Sequence, residues 1–178
     1  ILFISFIVSL SDILYINNNL LIFIYMSFKN DRFNELNLDI QTQISTMISK
    51  ENENENVDKI LQDLKEENNY VFYIVEDGNI IGSLQIDTKL ILENISKILY
   101  FIIDDKKRGK GYGKRLLSQT LNASIKDKQL SNLNLYLMVR TEKSDTNTVA
   151  IKLYQKFGFK MTELKVQYSD GENTIMLK

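Results

Sequence analysis

The sequence predicts a fold of the α/β (α+β) class, a mixed central sheet of six to seven strands with helices on both faces. Three observations predict it. Short runs rich in β-branched and aromatic residues alternate with stretches whose apolar residues recur at helical spacing, so strands and helices are interspersed. A basic, glycine-rich stretch falls where an apolar run fit for the centre of a sheet gives way to a helix. The chain then closes on two strand-like runs joined by a turn at Asp170-Gly171.

Each element has its own warrant. Residues 20–25 (LLIFIY) read as a first, buried strand. Asp31 is placed to cap a helix over about 32–48. The polar run ENENEN at 51–56 reads as a linker between helices. Val57, Ile60, Leu61 and Leu64 recur at helical spacing and predict a short amphipathic helix. Residues 70–75 (YVFYIV) and 80–86 form a hairpin about Asp77-Gly78-Asn79. Residues 98–103 (ILYFII) are apolar enough for a central strand. The loop KKRGKGYGKR follows at 106–115, and then a helix with Leu116, Leu117, Leu121 and Ile125 on one face. Leu133, Leu135, Leu137 and Val139 alternate with Asn134, Tyr136 and Met138, the period of a strand. Val149, Ala150, Leu153, Tyr154 and Phe157 make a helical stripe that Gly158 ends. Residues 159–166 and 173–177 are the closing hairpin.

Composition narrows the chemistry. A chain of 178 residues, 44% hydrophobic and 25% charged, suits one globular domain with a real core. The absence of Cys excludes disulfides, thiolate metal sites and cysteine nucleophiles. The absence of His removes the commonest general base, and no metal site is expected. Acid–base work therefore falls to Asp, Glu, Tyr, Lys or water. A net charge of −1 argues against a nucleic-acid partner. Residues 1–19 read as an apolar extension ahead of a domain at 20–178. Their apolar run is broken by Ser5, Ser9, Ser11 and Asp12 and is shorter than the ~20 residues of a membrane span, so a membrane partner is not expected, with a membrane leader as the alternative reading of the extension. Nor do they show the basic start or small-residue cleavage site of a secretory leader, and the default location is the cytoplasm.

The loop carries the sharpest chemical signal. Gly109, Gly111 and Gly113 alternate where a strand passes into a helix, letting the backbone curl tightly and approach a ligand closely. The N–H groups of the helix start then converge where the macrodipole favours an anion. Lys106, Lys107, Arg108, Lys110, Lys114 and Arg115 add positive charge suited to a polyanion. The spacing is neither that of a Walker loop nor that of a dinucleotide fingerprint. Alone, the loop is equally a solvated basic turn.

A second segment decides between these. Asn147-Thr-Val-Ala150-Ile-Lys-Leu153-Tyr154-Gln-Lys-Phe157-Gly158-Phe159 reads N-x-x-A-x-x-L-Y-x-x-x-G-F. With Arg108-Gly109-Lys110-Gly111-Tyr112-Gly113 (R-x-x-G-x-G), it resembles the two motifs of the GNAT N-acetyltransferase superfamily, over about residues 20–178. The resemblance implies a three-layer GNAT fold with splayed central strands, acetyl-CoA as co-substrate and an amine acceptor. It further implies that main-chain N–H groups of Arg108, Gly109, Lys110, Gly111, Tyr112 and Gly113, with Lys114 beside them, bind the CoA pyrophosphate. Ile102 and Ile103 would pair through their backbone with the pantetheine arm, Asn147 would touch it, and Tyr154 would protonate the departing thiolate. Frequent dimers in the family leave a homodimer open.

One expected group is missing. Many such enzymes carry a carboxylate near the middle of the central strand to deprotonate the amine, whereas Leu99 and Tyr100 stand there. Asp87 and Glu93 lie upstream and read as hairpin carboxylates, which leaves water or an unusual group as the base. Two cues bear on the acceptor. Gly82-Ser83-Leu84 with Lys89-Leu90-Ile91 faintly resembles glucosamine-6-phosphate N-acetyltransferases, which favours a small amine. The segment from Tyr168 to Met176 resembles the peptide-clamping hairpin of protein N-terminal acetyltransferases. A non-catalytic acyl-CoA sensor is the alternative outside enzymes.

Overall fold

A computed structural model describes residues 26–52, 56–66, 69–88, 95–127, 130, 134–140, 145–168 and 171–178. The expected strand at 20–25 and the extension at 1–19 lie outside these. The elements are β1 (Met26–Arg32), α1 (Leu38–Glu51), α2 (Val57–Leu64), β2 (Asn69–Glu76), β3 (Asn79–Asp87) and β4 (Ile95–Ile103), followed by α3 (Tyr112–Lys126), β5 (Asn134–Arg140), α4 (Asp145–Lys156), β6 (Lys160–Tyr168) and β7 (Gly171–Leu177). The seven strands form one sheet in the order β1-β2-β3-β4-β5-β7-β6, antiparallel except for the β4–β5 pair.

The strand period sorts side chains onto two cores, one per face. Phe72, Ile74, Leu84, Ile86 and Ile98 pack with Leu116, Leu117 and Leu121 of α3 and with Tyr154 of α4. Val71, Tyr73 and Ile102 pack with Phe33, with Ile44 and Ile48 of α1, and with Ile60 and Leu64 of α2. This is a three-layer arrangement, and burial on both faces explains why β2 and β3 read as near-continuous apolar runs.

Three expectations are corrected. Asp31 does not cap a helix: it lies in edge strand β1, where it accepts a hydrogen bond from Tyr73 Oη at 3.4 Å. The strand was hidden because Lys29, Asn30 and Asp31 are solvent-exposed on a sheet edge and break the apolar pattern. The helix begins at Leu38 rather than near Arg32, and Asn37 caps it by accepting from Ile40 N at 3.0 Å. A 3₁₀ turn at Phe33–Glu35 intervenes, pinned by buried Phe33 and by Gln41 Nε2 donating to the Phe33 carbonyl at 2.9 Å. Finally, Gly171 begins β7 instead of standing outside it. Of the polar run at 51–56, Glu51 closes α1, and Asn56 caps α2 through Asp58 N at 2.8 Å and Lys59 N at 3.2 Å. The hairpin between β2 and β3 turns at Asp77 (φ 50°) and Gly78 (φ 79°), the two positive φ values of a type I′ turn.

Candidate functional site: an opening between two parallel strands

The site begins where the sheet fails. β4 and β5 are paired only at Ile95↔Asn134, Ser96↔Leu135 and Lys97↔Tyr136, and beyond that register the ladder stops although both strands continue. The backbone edge of β4 toward β5, past Lys97, therefore has no strand partner among the described residues. On its other side β4 stays paired with β3, with a register shift between Gln85↔Tyr100 and Ile86↔Ile98 that leaves Leu99 as an extra residue. Such a bulge bends a strand and increases its twist, and it lies just past the last β4–β5 pair. Lys97 stands half-buried at the base of the opening. Burial pulls its ammonium pKa down, and the Asp87 carboxylate opposes the shift.

The loop after β4 lies beside this opening. Asp104 Oδ1 accepts from Lys106 N at 3.0 Å and holds a 3₁₀ turn at Asp105–Lys107. Gly109 and Gly111 follow at φ +74° and +84°, a left-handed backbone that other residues enter only with strain. A Cβ built on either would meet nothing within 4 Å, so the loop's surface is open to a ligand. Gly111 caps α3 without any side-chain hydrogen bond to the first turn, so among the described residues no side chain caps that turn's N–H groups. Lys110 and Lys114 are exposed beside it. An uncapped helix start, a backbone cradle and two lysines fit a pyrophosphate.

The other cations of the loop have different work. Arg108 folds back, donating from Nε to the Ile103 carbonyl at 3.0 Å and pairing with Asp105 at 2.7 Å and with Glu51 at the end of α1. Arg115 Nη1 lies 2.7 Å from Met26 Sδ. Lys107 is ion-paired with Glu76, whose other oxygen accepts from Tyr112 Oη at 2.8 Å. The ring of positive charge read from the sequence is thus smaller in practice.

Tyr154 reaches the opening from α4 by a capping device. Phe159 N donates to the Tyr154 carbonyl at 3.1 Å and Gly158 N to the Gln155 carbonyl at 3.0 Å, the two bonds of a Schellman motif with Gly158 at φ +88°. The apolar contact that accompanies this motif is the edge-on meeting of the Phe159 and Tyr154 rings, centroids 5.8 Å apart. The spacing L-Y-x-x-x-G-F is therefore the grammar of a helix end that orients its tyrosine. On its other side Tyr154 lies 6.0 Å from the ring of Phe101 on β4, so it bridges α4 to the strand that splays. It is 8% exposed, and burial pushes its hydroxyl pKa up to about 12.

The remaining expected residues are placed as follows. Ile102 is buried toward α1 and α2, and Ile103 is half-buried on the α3 face, both in the part of β4 past Lys97 that has no strand pairing with β5 among the described residues. Gly113 lies in the first turn of α3, where an added Cβ would touch Ile103, Leu153 and Phe101 at 3.7 Å. Asn147 falls within α4, and its side chain lies outside the described residues, as do Lys89, Glu93 and the Tyr168 side chain. Gly82, Ser83 and Leu84 are buried in the body of β3, away from any hairpin tip. Sequence reasoning missed Glu76, Glu51 and Phe101. The only signal for Glu76 was a carboxylate ending an otherwise apolar strand.

A strand pair that stops pairing, an open glycine loop beside it and a buried tyrosine against β4 fit one class: a transferase that takes a group from an extended, phosphorylated carrier. The family model for the acetyltransferase (GNAT) domain matches residues 67–161, more than half of the chain, and the chain belongs to this family. It is thus an acetyl-CoA-dependent N-acetyltransferase. The fold is also that of an acyl-CoA N-acyltransferase from Pseudomonas aeruginosa (TM-score 0.69, 15% identity, 86% of this chain and 99% of that one). ElaA from Escherichia coli is similar (TM-score 0.69, 16% identity, 86% and 99%), as is the ribosomal-protein-S18-alanine N-acetyltransferase from Escherichia coli (TM-score 0.65, 16% identity, 85% and 92%). No curated protein matches the sequence. Among the described residues no helix is long and apolar enough to cross a membrane, and no group of three acidic, His or Cys side chains could hold a metal.

Proposed function

We propose that the protein transfers the acetyl group of acetyl-CoA directly to the primary amine of a small molecule, in the cytoplasm. The observation that carries the transfer is the end of β4–β5 pairing after Lys97, with the open glycine loop and Tyr154 next to it. Bound acetyl-CoA supplies a thioester carbon that a neutral amine can attack. The first turn of α3, with Gly109 and Gly111, would receive the pyrophosphate, and Lys110 and Lys114 would neutralise part of its charge. Past Lys97, where strand pairing with β5 ends, backbone groups of β4 would pair with the amide-bearing arm as a neighbouring strand would. Backbone N–H groups near the Leu99 bulge are suited to the oxygen that gains charge on attack. Tyr154 keeps its proton throughout the neutral range and can donate it toward the departing sulfur.

The acceptor lies on the α1–α2 side of the opening in this reading. That wall carries Tyr100 from β4 and, by strand alternation, Tyr136 and Met138 from β5, and no carboxylate of β4 faces it. Deprotonation of the amine then uses water or an unusual group. Asp87→Asn and Glu93→Gln test this: each is expected to retain most activity, and a loss beyond about a hundredfold in a folded variant would identify that carboxylate as the base.

The deciding assay is thiol release from acetyl-CoA over a panel of glucosamine 6-phosphate, polyamines, aminoglycosides and short peptides. Turnover with a small amine supports the reading. Turnover with peptides alone moves the acceptor to a polypeptide N-terminus, and acetyl-CoA binding without turnover on any acceptor makes the chain a sensor.

A further inference from the structure

A buried carboxylate has both oxygens committed to the phosphate loop. Glu76 ends β2 and is 6% exposed. One oxygen pairs with Lys107, the last residue of the 3₁₀ turn that enters the loop, and the other accepts from Tyr112, the first residue of the helix that leaves it. Between these two anchors run Arg108, Gly109, Lys110 and Gly111, with the two glycines in the left-handed region. Glycines give such a segment many conformations when it is free, and ordering it on binding would weaken affinity. A single rigid strand end that grips both flanks removes much of that freedom beforehand.

We propose that Glu76 is the positioning residue of the CoA site, clamping the two ends of the glycine loop so that its N–H groups converge before CoA arrives. The inference rests on the reading of the loop as the pyrophosphate site. It makes a prediction of unusual sign. Glu76 is an anion near a site for a polyanion, so on charge alone its removal should tighten binding and free Lys107 as an extra cation. Clamping demands the reverse: loss of Glu76 weakens binding although the loop becomes more positive.

Calorimetric titration of CoA into the full chain tests this, with thermal melting of the free and CoA-bound forms alongside. Glu76→Gln is expected to weaken CoA about tenfold, with a smaller CoA-induced rise in melting temperature. Tyr112→Phe keeps the ion pair but opens one side of the clamp. It leaves a buried carboxylate oxygen without its donor, so the free variant should melt somewhat below the wild type. CoA is expected to bind about threefold more weakly even well below that transition, where the variant is fully folded, which separates positioning from mere support of the fold. Should Glu76→Gln fail to fold, Tyr112→Phe decides alone. Unchanged or tighter CoA binding in the folded variants overturns the proposal. Failure of the wild type to bind CoA would instead overturn the reading of the loop.

Discussion

The two sides of the β4–β5 opening are made of different material. The side toward α3 is built from backbone: two glycines at positive φ, an uncapped helix start, an unpaired strand edge and a helix end that turns Tyr154 inward. The side toward α1 and α2 is built from side chains, including Tyr100, Tyr136 and Met138, above the buried polar pair of Ser83 and Gln85 on β3, where Gln85 Nε2 donates to Ser83 Oγ at 3.1 Å. On the function proposed above, the first side would meet the phosphates and amides common to every acyl-CoA, which a fixed backbone can serve, and the second would meet the amine, which side chains can follow without disturbing the fold.

Breaking the first side should hurt most. Tyr154→Phe keeps the ring contacts with Phe101 and Phe159 and loses only the hydroxyl, so kcat should fall about a hundredfold or more with CoA affinity nearly unchanged. An equal fall in CoA affinity would make the residue a packing group. Next comes Gly111→Val. A β-branched side chain at φ +84° costs about 1–3 kcal/mol, and CoA affinity should drop about tenfold or more by calorimetry. Binding that survives this change would mean the loop is not the cradle.

Tyr154 also predicts a pH effect. Its folded pKa of about 12 exceeds the ordinary value of 10.0, so between these the unfolded chain loses its proton while the folded one keeps it. The stability this supplies is complete below pH 10 and is lost as pH rises toward 12, by roughly 2–3 kcal/mol at most. Denaturant melts at pH 9 and 11 should show that loss diminished in Tyr154→Phe. Buried Tyr73 is raised too, by burial first and then by Asp31, and continues the decline in both proteins. The smallest effects belong to charge. Lys110→Ala and Lys114→Ala should each weaken CoA about two- to fivefold, less at high salt. Arg108→Ala should depend less on salt, because its guanidinium binds its own loop and Glu51 rather than open solvent.

The same contrast governs what the sequence reveals. Elements with a strong period were legible: β2, β3 and β4, the α3 face of Leu116, Leu117 and Leu121, and the alternation of β5. So were the glycines of the loop and the L-Y-x-x-x-G-F helix end, because positive φ and a Schellman cap demand particular residues. The edge strand β1 was not legible, since exposed Lys29, Asn30 and Asp31 carry no apolar pattern. The Leu99 bulge and the Glu76 clamp were invisible for another reason. They depend on which residue meets which across 15 to 36 positions of sequence, as Gln85↔Tyr100 and Glu76–Tyr112 do, and no local pattern encodes such a meeting.

The most direct test of the account is calorimetric titration of acetyl-CoA into the wild-type protein beside Gly111→Val. The wild type is expected to bind saturably and one-to-one, and the substitution to weaken that binding about tenfold or more. No binding by the wild type, or equal binding by both, would contradict it.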